Sequence, residues 1–318
     1  MKTKVIMAAL IMASTVSCAT CHRTANPSSR QKEALATSEA RRSPNPLTDL
    51  ALAAQEKLGW RLAGKGYTFR SVTFSEAVDK TAALGLKYLE VNPWQKFKPG
   101  STLDMGPGMD DATLAEVKKK LKDAGVKPVA YGVMALGKDE AANRKVFEFC
   151  RKLGIETIVS EPPAEALETI DRLCAEYGIS VAIHNHPKPS GYWDPETVLK
   201  ACAGRSARIG ACADTGHWMR SGVNPIEALK KLEGRIISMH LKDLNEFGDP
   251  EAYDVPWGTG KGNLSAVLAE LKRQELRAVF SIEYEKDGPK LMDDLTQCVA
   301  FFDRETVALA ASPTPAGK

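Results

Sequence analysis

Five histidines occur in the 318-residue chain, and four of them sit in three short runs: His184-Asn185-His186, Asp214-Thr215-Gly216-His217 and His240-Leu241-Lys242-Asp243. The fifth, His22, stands apart near the N-terminus. Carboxylates accompany the imidazoles, as Asp214 itself and as Glu283 and Glu285 in Glu283-Tyr284-Glu285. Neutral imidazole and carboxylate together suit divalent ions such as Mn, Co, Fe, Zn or Mg, with oxygen-rich sets favouring Mg and Mn. Asp214, His240 and Glu283 form a matched set of this kind. His184 and His186 share a strand face by the two-residue period of an extended chain. At least one is expected to act, as ligand or as base, because imidazole titrates near neutrality. Lys242 is placed to neutralise negative charge developing on a substrate oxygen; its bland alternative is a solvated lysine paired with Asp243.

Other residues are candidates for holding a substrate. Glu90, His217 and Trp218 fall at or just after the ends of apolar runs, and Trp257 and Lys261 lie in a glycine-rich stretch ahead of a helix. The run Trp257-Gly258-Thr259-Gly260-Lys261-Gly262 could let backbone N–H groups approach a phosphate or sugar oxygen ahead of a helix. It is not a P-loop, since no Lys-Ser/Thr pair opens the helix. Trp94, Trp193, Trp218 and Trp257 could stack on a sugar, although tryptophan packs loops equally well. Glu161 is a further acidic candidate, but it could instead cap the helix that Pro162-Pro163 introduces.

These residues need a frame that gathers distant positions. Apolar strand-like runs alternate with amphipathic helices from about residue 61 to 309. The strands read Leu62–Phe69, Tyr88–Asn92, Pro128–Met134, Thr157–Ser160, Ser180–His184, Ile209–Ala213, Ile236–Leu241 and Ala278–Tyr284. The intervening helices carry apolar residues at three- and four-residue steps, as in Ala164, Leu167, Ile170, Leu173 and Cys174. Gly85, Gly125, Gly154 and Gly178 suit left-handed helix ends. Eight such units in about 250 residues specify an α/β fold, a single-domain (β/α)8 TIM barrel over residues 59–309. An open doubly wound sheet is the alternative. In a barrel, catalytic residues stand at the C-terminal ends of strands, which is where the histidine and carboxylate runs lie.

Composition is that of an ordinary globular protein, 43% hydrophobic and 26% charged. Lys2 and Lys4 precede an apolar stretch, Val5 to Ala13, too short to span a bilayer, and Ser17 and Ala19 fit a signal-peptidase site. Residues 1–19 are therefore expected to be a signal peptide, making the protein exported, periplasmic or secreted. A retained anchor is the alternative, and Cys18 could carry a lipid, although its preceding residues make only a weak lipobox. Residues 20–58 read as a disordered linker and 310–318 as a disordered tail. No later segment is apolar for long enough to cross a membrane. The formal charge of +3 falls to +1 without Lys2 and Lys4, so net charge gives no reason to expect nucleic acid as a partner. The cysteines lack zinc-type pair spacing, and those after residue 100 read as small buried residues.

Asp214-Thr215-Gly216-His217, Met239-His240-Leu241-Lys242-Asp243 and Ser281-Ile282-Glu283-Tyr284 together resemble the xylose-isomerase-like TIM-barrel family, which includes sugar phosphate isomerases/epimerases and type IV AP endonucleases. The resemblance covers about residues 60–305. It implies that Asp214, His240 and Glu283 bind one divalent metal ion, of the Mn, Mg, Co or Zn kind. Where the sugar epimerases place a glutamate that is both ligand and acid/base, this chain has His184, and Glu161 on the neighbouring strand could supply the carboxylate. The expected metal set is thus Glu161, Asp214, His240 and Glu283, with Glu161, His184 or His186 as base. The implied activity is sugar isomerisation or epimerisation by proton abstraction next to a carbonyl, through a metal-stabilised enediolate. Elimination or hydration of a 3-keto-sugar or 3-keto-glycoside by the same chemistry is the alternative. An AP-endonuclease-like phosphodiesterase and a non-catalytic sugar-binding module fit less well. The expected partner is a small sugar or keto-sugar, and a homo-oligomer is compatible with the sequence.

Overall fold

The computed structural model describes residues 46–312; the signal-peptide expectation for residues 1–19 and residues 313–318 of the expected tail lie outside that range. Eight parallel strands close on themselves in sequence order. They are β1 (Arg61–Lys65), β2 (Tyr88–Val91), β3 (Lys127–Tyr131), β4 (Thr157–Ser160), β5 (Ser180–His184), β6 (Ile209–Asp214), β7 (Ile236–Leu241) and β8 (Val279–Ile282). Strand β8 pairs with β1 to seal the barrel. The strands are almost wholly buried, because side chains fill the interior and helices cover the outside. This is a (β/α)8 TIM barrel.

The helices are α1 (Pro46–Leu58), α2 (Phe74–Ala83), α3 (Asp111–Ala124), α4 (Glu140–Leu153), α5 (Leu167–Tyr177), α6 (Pro195–Cys202), α7 (Thr215–Arg220), α8 (Pro225–Lys231), α9 (Leu264–Arg273) and α10 (Leu291–Ala311). Gly125, Gly154 and Gly178 end α3, α4 and α5 in the left-handed conformation. Cys150, Cys174, Cys202, Cys212 and Cys298 are free and buried, as small apolar residues would be.

Three local departures from the sequence pattern have physical causes. Part of the expected linker is the helix α1. Its Ala51, Ala54 and Gln55 are buried, Gln55 Nε2 donates to Asp303 Oδ1 at 3.0 Å, and Lys57 Nζ donates to the Ala310 carbonyl at 2.6 Å. The expected tail is likewise helical through Ala311, where Ala310 closes that contact. Strand β1 stops at Lys65 and gives way to a 3-10 turn, Gly66–Phe69, where a Cβ on Gly66 would stand 2.8 Å from the Asn92 nitrogen. After Asp214 the chain turns at once into α7, because the Asp214 side chain caps it by accepting from the His217 N–H at 2.8 Å.

Strand register positions the chemistry. Lys65 stands beside Glu90, His184 beside Cys212, Asp214 beside His240, and His240 beside Ser281. Residues separated by more than 200 positions thereby meet at one end of the barrel.

Candidate metal centre

Four donor atoms converge over the ends of β5 to β8. Asp214 Oδ2 lies 3.5 Å from His184 Nε2 and 3.9 Å from His240 Nδ1, and His240 Nδ1 lies 2.9 Å from Glu283 Oε2. All four side chains are buried. His184 Nε2 and His240 Nδ1 have no hydrogen-bond partner among the described residues, and Glu283 Oε2 is met only through charge, by Lys242 Nζ at 3.0 Å and His240 Nδ1. Buried polar atoms are rarely left unpartnered. Donors each roughly 2.1 Å from one ion stand about 3 to 3.5 Å apart, which is near the spacing here. The donor chemistry and the orphaned atoms therefore fit a divalent cation, and His184, Asp214, His217 and Glu283 form a group able to hold one.

Each imidazole facing this point is held from behind by a carboxylate. Glu161 Oε1 lies 3.3 Å from His184 Nδ1, accepts from the His186 backbone N–H at 3.1 Å and contacts His186 Nδ1; its Oε2 accepts from Ser190 Oγ at 3.0 Å. Glu90 meets His240 Nε2 with both oxygens, at 3.0 and 2.9 Å. Such carboxylate–imidazole pairs fix the tautomer and orientation of metal-ligating histidines. Two expectations change accordingly. Glu161, expected among the metal ligands together with Asp214, stands apart from that group, behind His184, and forms with His184 and His186 a second group able to hold an ion. Glu90, expected to meet substrate, is completely buried and meets His240, Lys65 and Ser281.

Lys242 is buried beside the donors, with Nζ 2.8 Å from Asp214 Oδ2, 3.0 Å from Glu283 Oε2, 3.2 Å from Glu285 Oε1 and 3.2 Å from His217 Nε2. It is no solvated surface lysine. Gly216 makes room for it, since a Cβ there would stand 2.6 Å from the Lys242 Cβ. Arg220 closes the outer side, donating to Glu285 Oε2 at 2.6 Å and lying 3.1 Å from His217 Nδ1.

The charges set the protonation states. Burial works against ionised Asp214 and Glu283, but the Lys242 ammonium, with His217 beside Asp214 and His240 beside Glu283, holds both carboxyls well below their usual range. Burial opposes charge on His240, yet Cys212, Glu90 and Glu283 together raise it well above the ordinary imidazole value. Burial lowers His217 to about 3 despite the opposing pull of Asp214, with Lys242 adding to the effect. His186 is the exposed member of the histidine group, its ring centroid 4.4 Å from that of His184 and 5.2 Å from that of His217.

Three further expectations are corrected. Trp218 is fully buried in α7 and Trp257 is nearly so, packed near Phe302, so neither presents a face to a sugar. The glycine run has amides aimed at an anion, but that anion is internal. Gly258 and Gly260 donate to Asp243 Oδ2 at 2.9 and 3.0 Å, and Gly262 donates to Asp243 Oδ1 at 2.8 Å. Lys261 is exposed on that loop and donates its backbone N–H to the Leu244 carbonyl. Three participants, Lys65, Arg220 and Asp254, went unread in the sequence. Lys65 was absorbed into an overlong strand, although a lysine inside an apolar run was its signal. Glu285, Arg220 and Asp254 belong to the charge cluster around Lys242.

A family model described as xylose isomerase-like TIM barrel matches residues 78–305. Among curated proteins, the chain is 25% identical over 182 residues to the rhizopine catabolism protein MocC of Rhizobium meliloti, covering 52% of this chain and 54% of that one. It is 28% identical over 139 residues to an inosose dehydratase of Bacillus thuringiensis, covering 39% and 46%. The chain thus spans about half the length of these curated relatives. Among solved structures, a protein of Parabacteroides distasonis is 34% identical, with a TM-score of 0.63 over 77% of this chain and 99% of that one. A D-tagatose 3-epimerase-like protein shares the fold at 18% identity, with a TM-score of 0.59 over 77% and 96%. The IolI protein, solved with a zinc atom, shares it at 20% identity, with a TM-score of 0.55 over 79% and 98%. By its barrel, its strand-end residues and the family match across most of its length, this chain belongs to the xylose isomerase-like TIM barrel family.

Proposed function

We propose that the protein is a divalent-metal enzyme that abstracts the proton next to the carbonyl of a sugar-like polyhydroxy ketone and eliminates a neighbouring oxygen substituent. The observation that carries this reading is the convergence of His184 Nε2, Asp214 Oδ2, His240 Nδ1 and Glu283 Oε2, the two imidazole nitrogens buried without hydrogen-bond partners and Glu283 Oε2 met by the Lys242 ammonium at 3.0 Å. We assign these four residues as the ligands, taking His240 over His217 because His217 Nε2 is met by Lys242 Nζ at 3.2 Å whereas His240 Nδ1 is unpartnered and Glu90 holds its ring from behind. When bound, a divalent ion polarises carbonyl and hydroxyl oxygens and stabilises the negative charge that forms as the proton leaves.

His186 is the base in this reading. It is the exposed imidazole of the group, and Glu161 contacts its Nδ1, which leaves Nε2 as the nitrogen free to take a proton. Lys242, held as an ammonium by Asp214, Glu283 and Glu285 against burial, offsets negative charge on the departing oxygen rather than giving up a proton. The proton that oxygen takes is the one His186 has removed from carbon. A single base serving both steps suits removal of a proton and a hydroxyl or alkoxyl from one face. An epimerase needs its two proton-transfer groups on opposite faces of one carbon. That geometry, together with relatives named inosose dehydratase, supports the elimination branch over isomerisation or epimerisation, which stands second.

Export is part of the proposal and rests on residues 1–19 alone. Mass spectrometry of the mature N-terminus tests it: cleavage after Ala19 or a lipid on Cys18 supports export, and an intact Met1 contradicts it. The chemistry is tested with metal-loaded protein and keto-polyols or 3-keto-glycosides in deuterated water, followed by proton NMR. Elimination gives an unsaturated or rearranged ketone with loss of water or alcohol. Epimerisation returns a stereoisomer carrying deuterium. No turnover of any such substrate by metal-loaded protein would refute both readings.

A further inference from the structure

We propose that Lys65 and Glu90 form a buried positioning pair that fixes the His240 ring and so sets the affinity and geometry of the metal centre; this rests on the ligand assignment above. Lys65, Glu90 and His240 are all buried, on β1, β2 and β7. Removing a charged pair from water is unfavourable unless geometry and extra hydrogen bonds compensate, and apolar side chains would fill a barrel interior at least as well for stability. The pair therefore calls for a purpose other than packing.

Its connections supply one. Lys65 Nζ donates to Glu90 Oε1 at 2.7 Å and to the Gly132 carbonyl at 2.5 Å. Ser281 Oγ donates to Glu90 Oε2 at 2.7 Å. Both carboxylate oxygens are thus pinned, and the remaining partner of each is His240 Nε2. With Nε2–H donated to Glu90, Nδ1, the atom that faces Asp214 and Glu283, is the nitrogen left to give its lone pair to an ion, which displaces the proton the ion-free ring holds there. Strand register brings the group together, since Lys65 neighbours Glu90 and His240 neighbours Ser281. The far anchor is equally specified. A Cβ on Gly132 would stand 2.5 Å from the Val159 carbonyl oxygen, so only glycine lets that stretch of backbone sit where its carbonyl receives Lys65. Lys65 and Glu90 are not among the assigned ligands and act through His240.

The test is cobalt(II) binding to the whole protein, read as a dissociation constant by chelator competition and as the visible absorption spectrum of the bound ion. Removing both charges together, in Lys65→Met/Glu90→Met, leaves no unpaired buried charge. It is expected to weaken binding by about 10- to 100-fold, the usual effect of losing a carboxylate behind a ligating histidine, and to alter the spectrum. Ser281→Ala, which loosens Glu90 without touching a charge, is expected to weaken binding severalfold, and it decides the matter if the double variant does not fold. Wild-type affinity and spectrum in the folded variants would overturn the pair alone. A wild-type chain that binds no cobalt would overturn the ligand assignment and the pair together.

Discussion

At the scale of single residues, the proposed site divides the work between His184 and His186 although they are two positions apart. His184 turns its Nε2 toward Asp214, and His186 stays exposed. His184→Ala is expected to lose bound metal and activity together. His186→Gln is expected to keep the metal and lose kcat by about 100- to 10,000-fold, the usual range for a general acid–base group. Metal analysis beside steady-state kinetics checks this; a His186 variant that loses the ion would reverse the assignment. Reading only strand ends located His184, Asp214, His240 and Glu283, because a barrel's topology makes strand ends converge whatever their separation in sequence. The same reading could not rank Glu161 and Glu90. Whether a strand-end carboxylate faces the ion or stands behind a histidine depends on stagger between neighbouring strands, which sequence does not show.

At the scale of elements, two contacts carry stability predictions. Asp243 accepts from three amides of the loop between β7 and α9. Asp243→Ala leaves these donors unpaired, and is expected to destabilise the protein by about 2–4 kcal/mol. A lower Tm with retained metal stoichiometry would show the loop to be a structural device, as the bonding requires; an unchanged Tm would contradict it. The second contact joins α1 to α10. Burial raises the Asp303 carboxyl from 3.8 to about 6, against the Gln55 hydrogen bond that lowers it. A carboxyl with a raised folded-state value binds its proton more tightly when folded. Its contribution is therefore most favourable below about pH 4 and is lost as pH rises toward 6. Asp303→Asn keeps an acceptor for Gln55 and removes the charge. It is expected to stabilise by about 1 kcal/mol at pH 7.5, after discount for partial solvent screening, and by almost nothing at pH 4. Thermal melts at both pH values check the sign. The α1 helix was legible after the fact, since Ala51, Ala54, Gln55 and Leu58 follow the helical step. Its neighbourhood of Ser, Pro and Arg obscured it. α7 was hidden for another reason: six residues are too few for a periodic pattern, and its cap, Asp214, had already been read as a ligand.

At the scale of the whole molecule, the barrel is a rigid ring onto which the late strands load the metal centre. The alternation of strands and helices was legible because each of the eight units repeats the same burial pattern. The charge cluster beneath and beside the site was less so, since buried lysines look like surface lysines until packing is known. Closure also ties ligand binding to stability. The four ligands come from β5, β6, β7 and β8, so an ion bound only by the folded ring adds RT ln(1 + [M]/Kd), about 2.7 kcal/mol at a hundredfold excess over Kd. Chelation is therefore expected to lower the Tm by several degrees. Restored Mn, Co or Zn should bring it back, while a Tm indifferent to chelator would argue that no ion bridges these strands.

The most direct test of the account is the metal content of purified protein after dialysis, compared among wild type, Asp214→Ala and Glu283→Ala. The account expects close to one divalent ion per wild-type chain and almost none in either variant, with the variants still folded by circular dichroism. Metal-free wild-type protein that takes up no added Mn, Co, Zn or Mg, or variants that keep a full complement, would contradict it.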